Sequence, residues 1–212
     1  MLSVEGLSFR YNAGAEELFD GLTHTFTPGA VTALTGPSGR GKSTLLYVLG
    51  LMLTPSQGQV ELDGINVSAL PDRDRSRVRA TRIGFVFQDS VLDPALPMIE
   101  SVIEPALYAG WGSAPARTAA LGLLERLGLA DRAHHRPGEI SGGQAQRAAV
   151  CRALVTDPVV VLADEPTGNL DRDNAQVVLD ALAASAQTEG RSVVIATHDP
   201  FVIDFADQVL TL

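Results

Sequence analysis

Residues 36–43 read Gly-Pro-Ser-Gly-Arg-Gly-Lys-Ser, a spacing of glycines, lysine and hydroxyl that indicates phosphate binding. Glycine lets successive N–H groups point at a phosphate, and a helix predicted over residues 42–50 adds its positive N-terminal end. Lys42 would reach the β- and γ-phosphates, and Ser43 would offer its hydroxyl to Mg²⁺. A plain glycine-rich turn is disfavoured because the motif lies between a predicted strand and a predicted helix. The predicted nucleotide-binding residues here are Gly36, Pro37, Ser38, Gly39, Arg40, Gly41, Lys42, Ser43 and Thr44.

Two carboxylates follow a second apolar run. Residues 159–163 predict a buried strand, and Asp164 and Glu165 stand at its end. Two adjacent carboxylates at the edge of a core repel each other unless a cation or a bound water lies between them. Asp164 therefore suits the Mg²⁺ shell, and Glu165 suits a general base that orients and deprotonates an attacking water. Without the phosphate loop, a solvated acidic pair would be the better interpretation.

A third motif, Ile-Ser-Gly-Gly-Gln at residues 140–144, precedes a helical run. Ser141 can cap that helix while the neighbouring glycines expose N–H groups, which would create a second anion-binding helix end. Taken alone, the motif could equally be a flexible turn. Together with the phosphate loop it resembles the signature motif of the ATPase subunits of ABC transporters.

That resemblance implies a specific assembly. In the family, the signature of one subunit closes over the nucleotide held by the other, so the expected partner is a second copy of the chain in a head-to-tail dimer with two ATP molecules. The expected signature contacts are Ser141, Gly142, Gly143 and Gln144. The resemblance also implies an integral-membrane permease as partner, and a location at the cytoplasmic face of the cell membrane.

Four further positions match family residues. Tyr11 resembles the aromatic residue that stacks on adenine, although strand packing is the alternative. Gln88 resembles the glutamine that contacts Mg²⁺ or water, and His198 the switch histidine that bonds the γ-phosphate. Asp171 resembles a residue of the loop that crosses the dimer interface, and it could also cap the next helix. The predicted catalytic residues are then Glu165, His198, Lys42 and Gln88, and the predicted Mg²⁺ contacts are Ser43, Gln88 and Asp164.

Alternating strand-like and helix-like segments predict an α/β fold with a parallel sheet. The resemblance makes this a P-loop NTPase (RecA-like) core with an N-terminal antiparallel β part, as a single domain over residues 1–212. Residues 89–157 contain helical segments interrupted by prolines, and this stretch is expected to be an inserted α-helical lobe. Strands are predicted over residues 31–35, 83–87, 159–163 and 193–197, helices over 42–50, 117–129 and 171–187, and a turn over 55–59.

Composition limits the partners. The 212 residues include 16 Lys and Arg against 25 Asp and Glu, a formal net charge of −9, which argues against nucleic acid as a partner. The lone Cys151 fits a reducing compartment. Residues 164–171 resemble the ATPases of macrolide exporters and lipoprotein-release systems. The family resemblance also implies a permease contact near Gln88 and the helical lobe, where Leu92, Leu96 and Met98 are candidates for an apolar docking surface, with core packing as the alternative.

Two other functions remain open at this point. A soluble ABC ATPase acting on DNA or ribosomes is disfavoured because one acidic cassette is present with no room for a long coiled coil. A regulatory module that does not hydrolyse ATP is disfavoured by Glu165 and His198. Arg40, Asp93 and Ala145 depart from the family pattern. The transported substrate and the direction of transport do not follow from these residues.

Overall fold

Two β-sheets form the framework of the chain in the computed structural model, which describes residues 1–12, 14–37 and 39–212. One is antiparallel, in the order β2-β1-β4-β5, and the other is parallel, in the order β6-β7-β8-β3-β9. The predicted phosphate-binding residue Ser38 lies outside the described residues. The strands are β1 Leu2–Phe9, β2 Leu18–Phe26, β3 Val31–Thr35, β4 Gln57–Leu62, β5 Ile65–Asn66, β6 Ile83–Val86, β7 Val160–Asp164, β8 Ser192–Ala196 and β9 Gln208–Thr211.

The parallel sheet separates two apolar cores. Side chains alternate along a strand, so Val161 and Ala163 of β7 face one core while Val160 and Leu162 face the other. Every residue of β7 and β8 is buried, which is why these strands have continuous apolar sequences and no polar face. Because these strands run parallel, the carboxyl ends of β3, β6, β7 and β8 meet at one edge of the sheet. Four of the predicted site segments lie at these ends: the glycine-rich loop, Gln88, Asp164 with Glu165, and His198.

Helices cover both faces of this sheet. α1 packs with the antiparallel sheet against one face, and α5 and α6 pack against the other. Two short 3₁₀ turns, Ala130–Arg132 and Pro137–Glu139, connect α4 to α5. The helices are α1 Lys42–Leu49, α2 Asp72–Arg82, α3 Met98–Tyr108, α4 Ser113–Arg126, α5 Gly142–Leu154, α6 Arg172–Glu189 and α7 Pro200–Phe205.

All residues from 87 to 159 are described, and the regular elements of this stretch are helical. Its helices α3, α4 and α5 contribute Val102, Leu124 and Val150 to one shared core. Two of the three residues expected to form a docking surface lie in that core: Met98 is 0% exposed and Leu92 is 9% exposed. The docking prediction is therefore wrong for Leu92 and Met98, because α3 begins at Met98 and turns its side chain inward. Leu96 is exposed.

The expected α/β class, with a parallel sheet and an N-terminal antiparallel part, is confirmed. The predicted strands and helices occur with ends that differ by at most four residues from the prediction, and β3 matches its predicted bounds. The turn predicted over residues 55–59 is shorter than expected because β4 already begins at Gln57. No predicted element corresponds to β5, α2 or α7.

Gly84 tests how tightly α5 packs on the parallel sheet. An added Cβ at Gly84 would lie 2.1 Å from the carbonyl oxygen of Ala153, a backbone atom that cannot rotate away. We expect Gly84→Ala to lower the free energy of unfolding by about 1–3 kcal/mol, measured by urea denaturation. Gly122 of α4 is the control, since no atom lies within 4 Å of its added Cβ. Gly122→Ala should leave stability unchanged or raise it by up to about 1 kcal/mol, and equal losses in both variants would contradict the packing explanation.

Candidate nucleotide-binding site

The glycine-rich loop connects β3 to α1, as its motif requires. Gly36, Gly39 and Gly41 have φ values of 137°, 83° and 92°, a region that other residues rarely adopt. The Lys42 ammonium group folds back over the loop, where Nζ donates to the carbonyl oxygens of Gly36 at 2.8 Å and Pro37 at 3.3 Å. The loop therefore places a mobile cation beside the positive end of α1.

The Ser43 hydroxyl and the Asp164 carboxylate meet at the end of the parallel sheet. Ser43 Oγ donates to Asp164 Oδ1 at 3.0 Å, although the two residues are 121 positions apart in the chain. Burial raises the pKa of Asp164 and the neighbouring Glu165 carboxylate raises it further, against the Ser43 hydrogen bond and the Lys42 charge, which lower it. The positive charge near the Asp164 carboxylate is therefore too small to offset its burial and the charge of Glu165. A hydroxyl oxygen and a carboxylate in this environment form a donor set suited to Mg²⁺.

Glu165 and His198 are in direct contact. His198 Nδ1 lies 2.6 Å from Glu165 Oε1, and Thr197 Oγ1 donates to Glu165 Oε2 at 3.3 Å. The Glu165 backbone has a φ of 44°, and its N–H donates to the carbonyl oxygen of Ala196 at 2.9 Å. This left-handed turn at the end of β7 directs the carboxylate toward the residues that follow β8. The Glu165 side chain is mostly buried while the imidazole is 78% exposed.

Tyr11 lies beside the loop. The residue is 61% exposed, and its ring meets Phe9 edge to face, with centroids 4.9 Å apart. Its hydroxyl lies 2.7 Å from the Thr44 hydroxyl at the start of α1. A cavity of about 390 Å³ opens between Tyr11 and the loop, a size that suits a small ligand. Its lining includes Tyr11, Leu18, Gly39, Gly41, Lys42, Ser43 and Thr44.

Although its neighbour Gly39 lines this cavity, Arg40 does not. It lines a neighbouring hollow with Glu16, Phe19 and Thr211. Its side chain is exposed. The arginine that departs from the family pattern is thus at the rim of the loop and not inside the cavity beside Tyr11.

Ser141 caps α5 through a reciprocal pair of hydrogen bonds. Ser141 Oγ accepts from the Gln144 N–H at 3.2 Å, and Gln144 Oε1 accepts from the Ser141 N–H at 2.9 Å. Gly142 is exposed, and it lines a hollow together with Gln88 and Asn169. The predicted cap is confirmed, and the start of α5 is open to solvent.

Gln88 follows β6 in a segment that α5 holds in place. Gln146 Nε2 donates to the carbonyl oxygen of Phe87 at 3.2 Å, and Arg152 donates to those of Ser90 and Val91 at 2.9 and 2.7 Å. The segment that carries Gln88 is therefore tied to the helix that carries the Ser141 cap.

Asp171 caps α6, as its alternative interpretation predicted. Asp171 Oδ1 accepts from the Asn174 N–H at 2.8 Å. Hydrogen bonds from Asn174, the backbone N–H first and then the side chain, hold the pKa of Asp171 below its usual value. The carboxylate is therefore ionised near neutral pH.

The structure sorts the predicted residues into two groups. We call the first the cradle group: Tyr11, the described residues of 36–44, Asp164, Glu165 and His198. We call the second the signature group: Gln88, residues 141–144 and Asp171. Among the hydrogen bonds of the described residues, none joins one group to the other. Sequence reasoning missed Thr197, which directly precedes His198, and Asn174, which lies three residues after Asp171.

Comparison with known proteins decides the family. The sequence profile described as ABC transporter matches residues 19–168, well over half of the chain. The chain belongs to the ABC transporter ATPase family. It is an ATP-hydrolysing cassette, and the resemblance found in its motifs is confirmed. Among the residues that the structure describes, no helix has the length and apolar character that crossing a membrane requires.

Curated relatives match the cassette over its full length. The lipoprotein-releasing system ATP-binding protein LolD of Hyphomonas neptunium is 42% identical over 214 residues, which cover 100% of this chain and 94% of the relative. LolD of Paramagnetospirillum magneticum is 43% identical over 213 residues, with the same coverage of both chains. The predicted similarity to the lipoprotein-release subgroup is therefore confirmed.

Solved structures share the fold. A dimeric bacterial ABC transporter cassette superposes with a TM-score of 0.90 and 33% identity, covering 100% of this chain and 94% of that one. A dimeric post-hydrolysis state of an ATP-binding cassette bound to ADP and Pi superposes with a TM-score of 0.89 and 32% identity, with the same coverage. These likenesses confirm the P-loop NTPase architecture and support ATP as the nucleotide.

Proposed function

We propose that the cassette works as a head-to-tail pair that holds two ATP molecules between its subunits and drives an integral-membrane permease. The observation that carries this proposal is that, among the described residues, no hydrogen bond joins residues 141–144 or Asp171 to the cradle group within one chain. Ser141 and Gly142 are exposed at the start of α5, where the first N–H groups of a helix have no partner inside the helix. In a pair related by a two-fold axis, the helix end of each subunit would face the open side of the other subunit's cradle, which gives two equivalent sites. The dimeric solved relatives support this arrangement.

The cradle group would bind the triphosphate. The loop N–H groups and Lys42 Nζ would hold the β- and γ-phosphates once the ammonium leaves the Gly36 and Pro37 carbonyls. The exposed Tyr11 ring borders the same cavity, at the side where the base of the nucleotide would stack. Ser141 and the glycines that follow it would contact the γ-phosphate from the partner subunit, and Asp171 would lie at the same interface.

Mg²⁺ fits the oxygen donors at the end of β7. Ser43 Oγ and the buried Asp164 carboxylate would hold it, and Asp164 has its pKa raised by burial and by Glu165, so a cation relieves both effects. When bound, the ion supplies charge neutralisation of the phosphate oxygens. Gln88 is proposed as a further contact of Mg²⁺ or its bound water. It would couple the magnesium site to the helical segment, because Gln146 and Arg152 of α5 form hydrogen bonds with the neighbours of Gln88.

Glu165 would take the proton of the attacking water. Its carboxylate is held by Thr197 at one oxygen, by His198 at the other and by the left-handed turn at its own backbone, so its position is fixed before the water arrives. Water attacks the γ-phosphorus as the bond to the bridging oxygen breaks, and the proton passes to Glu165. The exposed His198 ring would bond the γ-phosphate of intact ATP, so hydrolysis would remove this contact and weaken the closed pair.

The cycle follows from differential binding. ATP contacts both subunits and favours the closed pair, while loss of the γ-phosphate removes the bridge and favours opening. We propose that residues 89–157 move as a helical lobe within the single domain and pass this motion to the permease. Docking on a permease would place the cassette at the inner face of the cell membrane, and the LolD relatives favour a permease of the lipoprotein-release type.

A groove between this lobe and the sheet core is the proposed permease contact. It has a volume of about 280 Å³, and its lining includes the apolar side chains of Met52, Phe85, Val91 and Tyr108 as well as the charged residues Arg79, Glu104 and Arg152. Val91 and Tyr108 are exposed apolar side chains there, which replace the buried Leu92 and Met98 as docking candidates.

Affinity purification from detergent-solubilised membranes tests the permease proposal. We expect an integral-membrane protein to co-purify with the wild-type cassette and at least about tenfold less of it with Tyr108→Asp, because a charge in an apolar contact costs a few kcal/mol. Leu121→Asp on α4 is the control, since Leu121 is exposed outside the groove. Equal recovery with Tyr108→Asp would contradict the groove, and no membrane partner with the wild type would contradict the permease proposal.

A further inference from the structure

Asn174, on the first turn of α6, touches both segments that the proposed partner subunit would meet. We infer that Asn174 is a positioning residue that holds the Asp171 carboxylate against the start of the signature helix α5. This inference rests on the proposed head-to-tail pair for its effect on ATP hydrolysis. The contacts themselves lie within one chain.

Three hydrogen bonds connect Asn174 to Asp171. The Asn174 N–H donates to Asp171 Oδ1 at 2.8 Å, and Asn174 Nδ2 lies 3.0 Å from Oδ1 and 2.9 Å from Oδ2. An ordinary helix cap uses the backbone N–H alone. The side-chain amide adds donors to a charged acceptor, which are stronger than bonds between neutral groups. The carboxylate of Asp171 is thereby fixed in direction.

The same amide lies against the backbone of Gly143. An added Cβ at Gly143 would be 2.6 Å from Asn174 Cγ, 2.6 Å from Asn174 Oδ1 and 3.1 Å from Asn174 Cβ. Gly143 is buried and has an ordinary helical position, so this contact, and not a positive φ, requires glycine there. Because Nδ2 is committed to Asp171, the oxygen side of the amide is the part that packs on Gly143.

Through these two contacts, Asn174 connects the signature helix α5 to the loop that carries Asp171. Ser141 lies two residues before Gly143, and Asp171 accepts from the amide that packs on Gly143. A shift of α6 relative to α5 would break either the packing or the hydrogen bonds. Asn174 therefore fixes the position of both interface segments relative to each other before the partner subunit binds. This lowers the entropic cost of ordering the two segments when the pair forms.

The test measures ATP-dependent pairing in the Glu165→Gln background by sedimentation. We expect Asn174→Ala to raise the dissociation constant of the pair about tenfold, as expected from lost charge-assisted hydrogen bonds, while ATP affinity of the monomer stays within about twofold. Asn174→Asp keeps the shape and the Gly143 contact but turns a donor into a carboxylate facing Asp171, so it should weaken pairing at least as much. Gln176→Ala is the control, because Gln176 Nε2 donates to Asp180 Oδ1 at 2.7 Å elsewhere on α6.

A double-mutant cycle tests the contact. Gly143→Ala should lower the thermal unfolding midpoint in the parent and in Asn174→Asp, and lower it less in Asn174→Ala, where the atoms at 2.6 Å are gone. Independent, additive effects would overturn the inference even if the cassette does not dimerise. Unchanged pairing in both Asn174 variants, beside a parent that pairs, would overturn the positioning role. Absence of pairing in the parent itself would instead contradict the proposed function.

Discussion

Glu165→Gln is expected to bind ATP with near wild-type affinity, to lose steady-state hydrolysis by about 10²–10⁴-fold, and to accumulate as a closed pair. The amide has the shape of the carboxylate but cannot accept the proton of the attacking water. The surrounding turn is kept, because the backbone N–H of residue 165 still donates to the Ala196 carbonyl and the amide oxygen can still accept from the Thr197 hydroxyl. Phosphate release, calorimetry and sedimentation with ATP measure the three parts of this prediction.

An identical chemical change at an exposed position is the control. Glu125 lies on the outer face of α4, away from both groups, so Glu125→Gln should hydrolyse ATP at the wild-type rate. Multiple-turnover hydrolysis near the wild-type rate in Glu165→Gln would rule out its general-base role. Loss of ATP binding in that variant would show instead that Glu165 supports the cradle.

The motif-bearing strands were predictable because of how parallel sheets are buried. β3, β7 and β8 are covered on both faces, so their sequences are continuous apolar runs that end abruptly at polar residues. The loop at residues 36–43 was also predictable, because its spacing of glycines, lysine and serine is specific to phosphate-binding loops. β4, β5 and α2 gave no comparable signal, and α2 has no buried residue, so no apolar periodicity marks it.

The pairing of Glu165 with His198 depends on strand order, which the sequence does not state. Each residue was predicted from its own motif, 33 positions apart. They meet because β7 lies beside β8, with Asp164 opposite Ala196 in the register. Neighbouring strands in space need not be neighbours in sequence: β3 pairs with β8 and β9.

The docking prediction was wrong for Leu92 and Met98 for a related reason. Leu92, Leu96 and Met98 lie in a proline-containing stretch where apolar residues could face either way. The structure decides between the two, because the Met98 N–H donates to the His135 carbonyl at 2.9 Å and this long-range contact turns the start of α3 inward. A contact between residues 37 positions apart leaves no local pattern. The same holds for the Asn174 contact with Gly143.

Lys42→Ala should weaken ATP binding about ten- to hundredfold in calorimetry, because it removes the cation that the cradle offers to the phosphates. The variant also removes the hydrogen bonds to Gly36 and Pro37, so lost charge and lost loop support must be separated. Lys42→Met keeps most of the side-chain length without the charge. If the charge carries the affinity, the two variants should weaken binding to a similar degree while their unfolding midpoints stay near that of the wild type.

Arg40 supplies the matched control for Lys42, since it is a cation of the same loop that faces the neighbouring hollow rather than the cavity beside Tyr11. Arg40→Ala should change ATP affinity by less than about threefold, because an exposed charge at the rim is screened by water and salt. An equal loss in Arg40→Ala and Lys42→Ala would mean that the loop attracts the nucleotide by total charge and not by a placed ammonium. Unchanged affinity in Lys42→Ala would contradict the cradle itself, and with it the composite site, since the signature helix of a partner would then have no bound γ-phosphate to close upon.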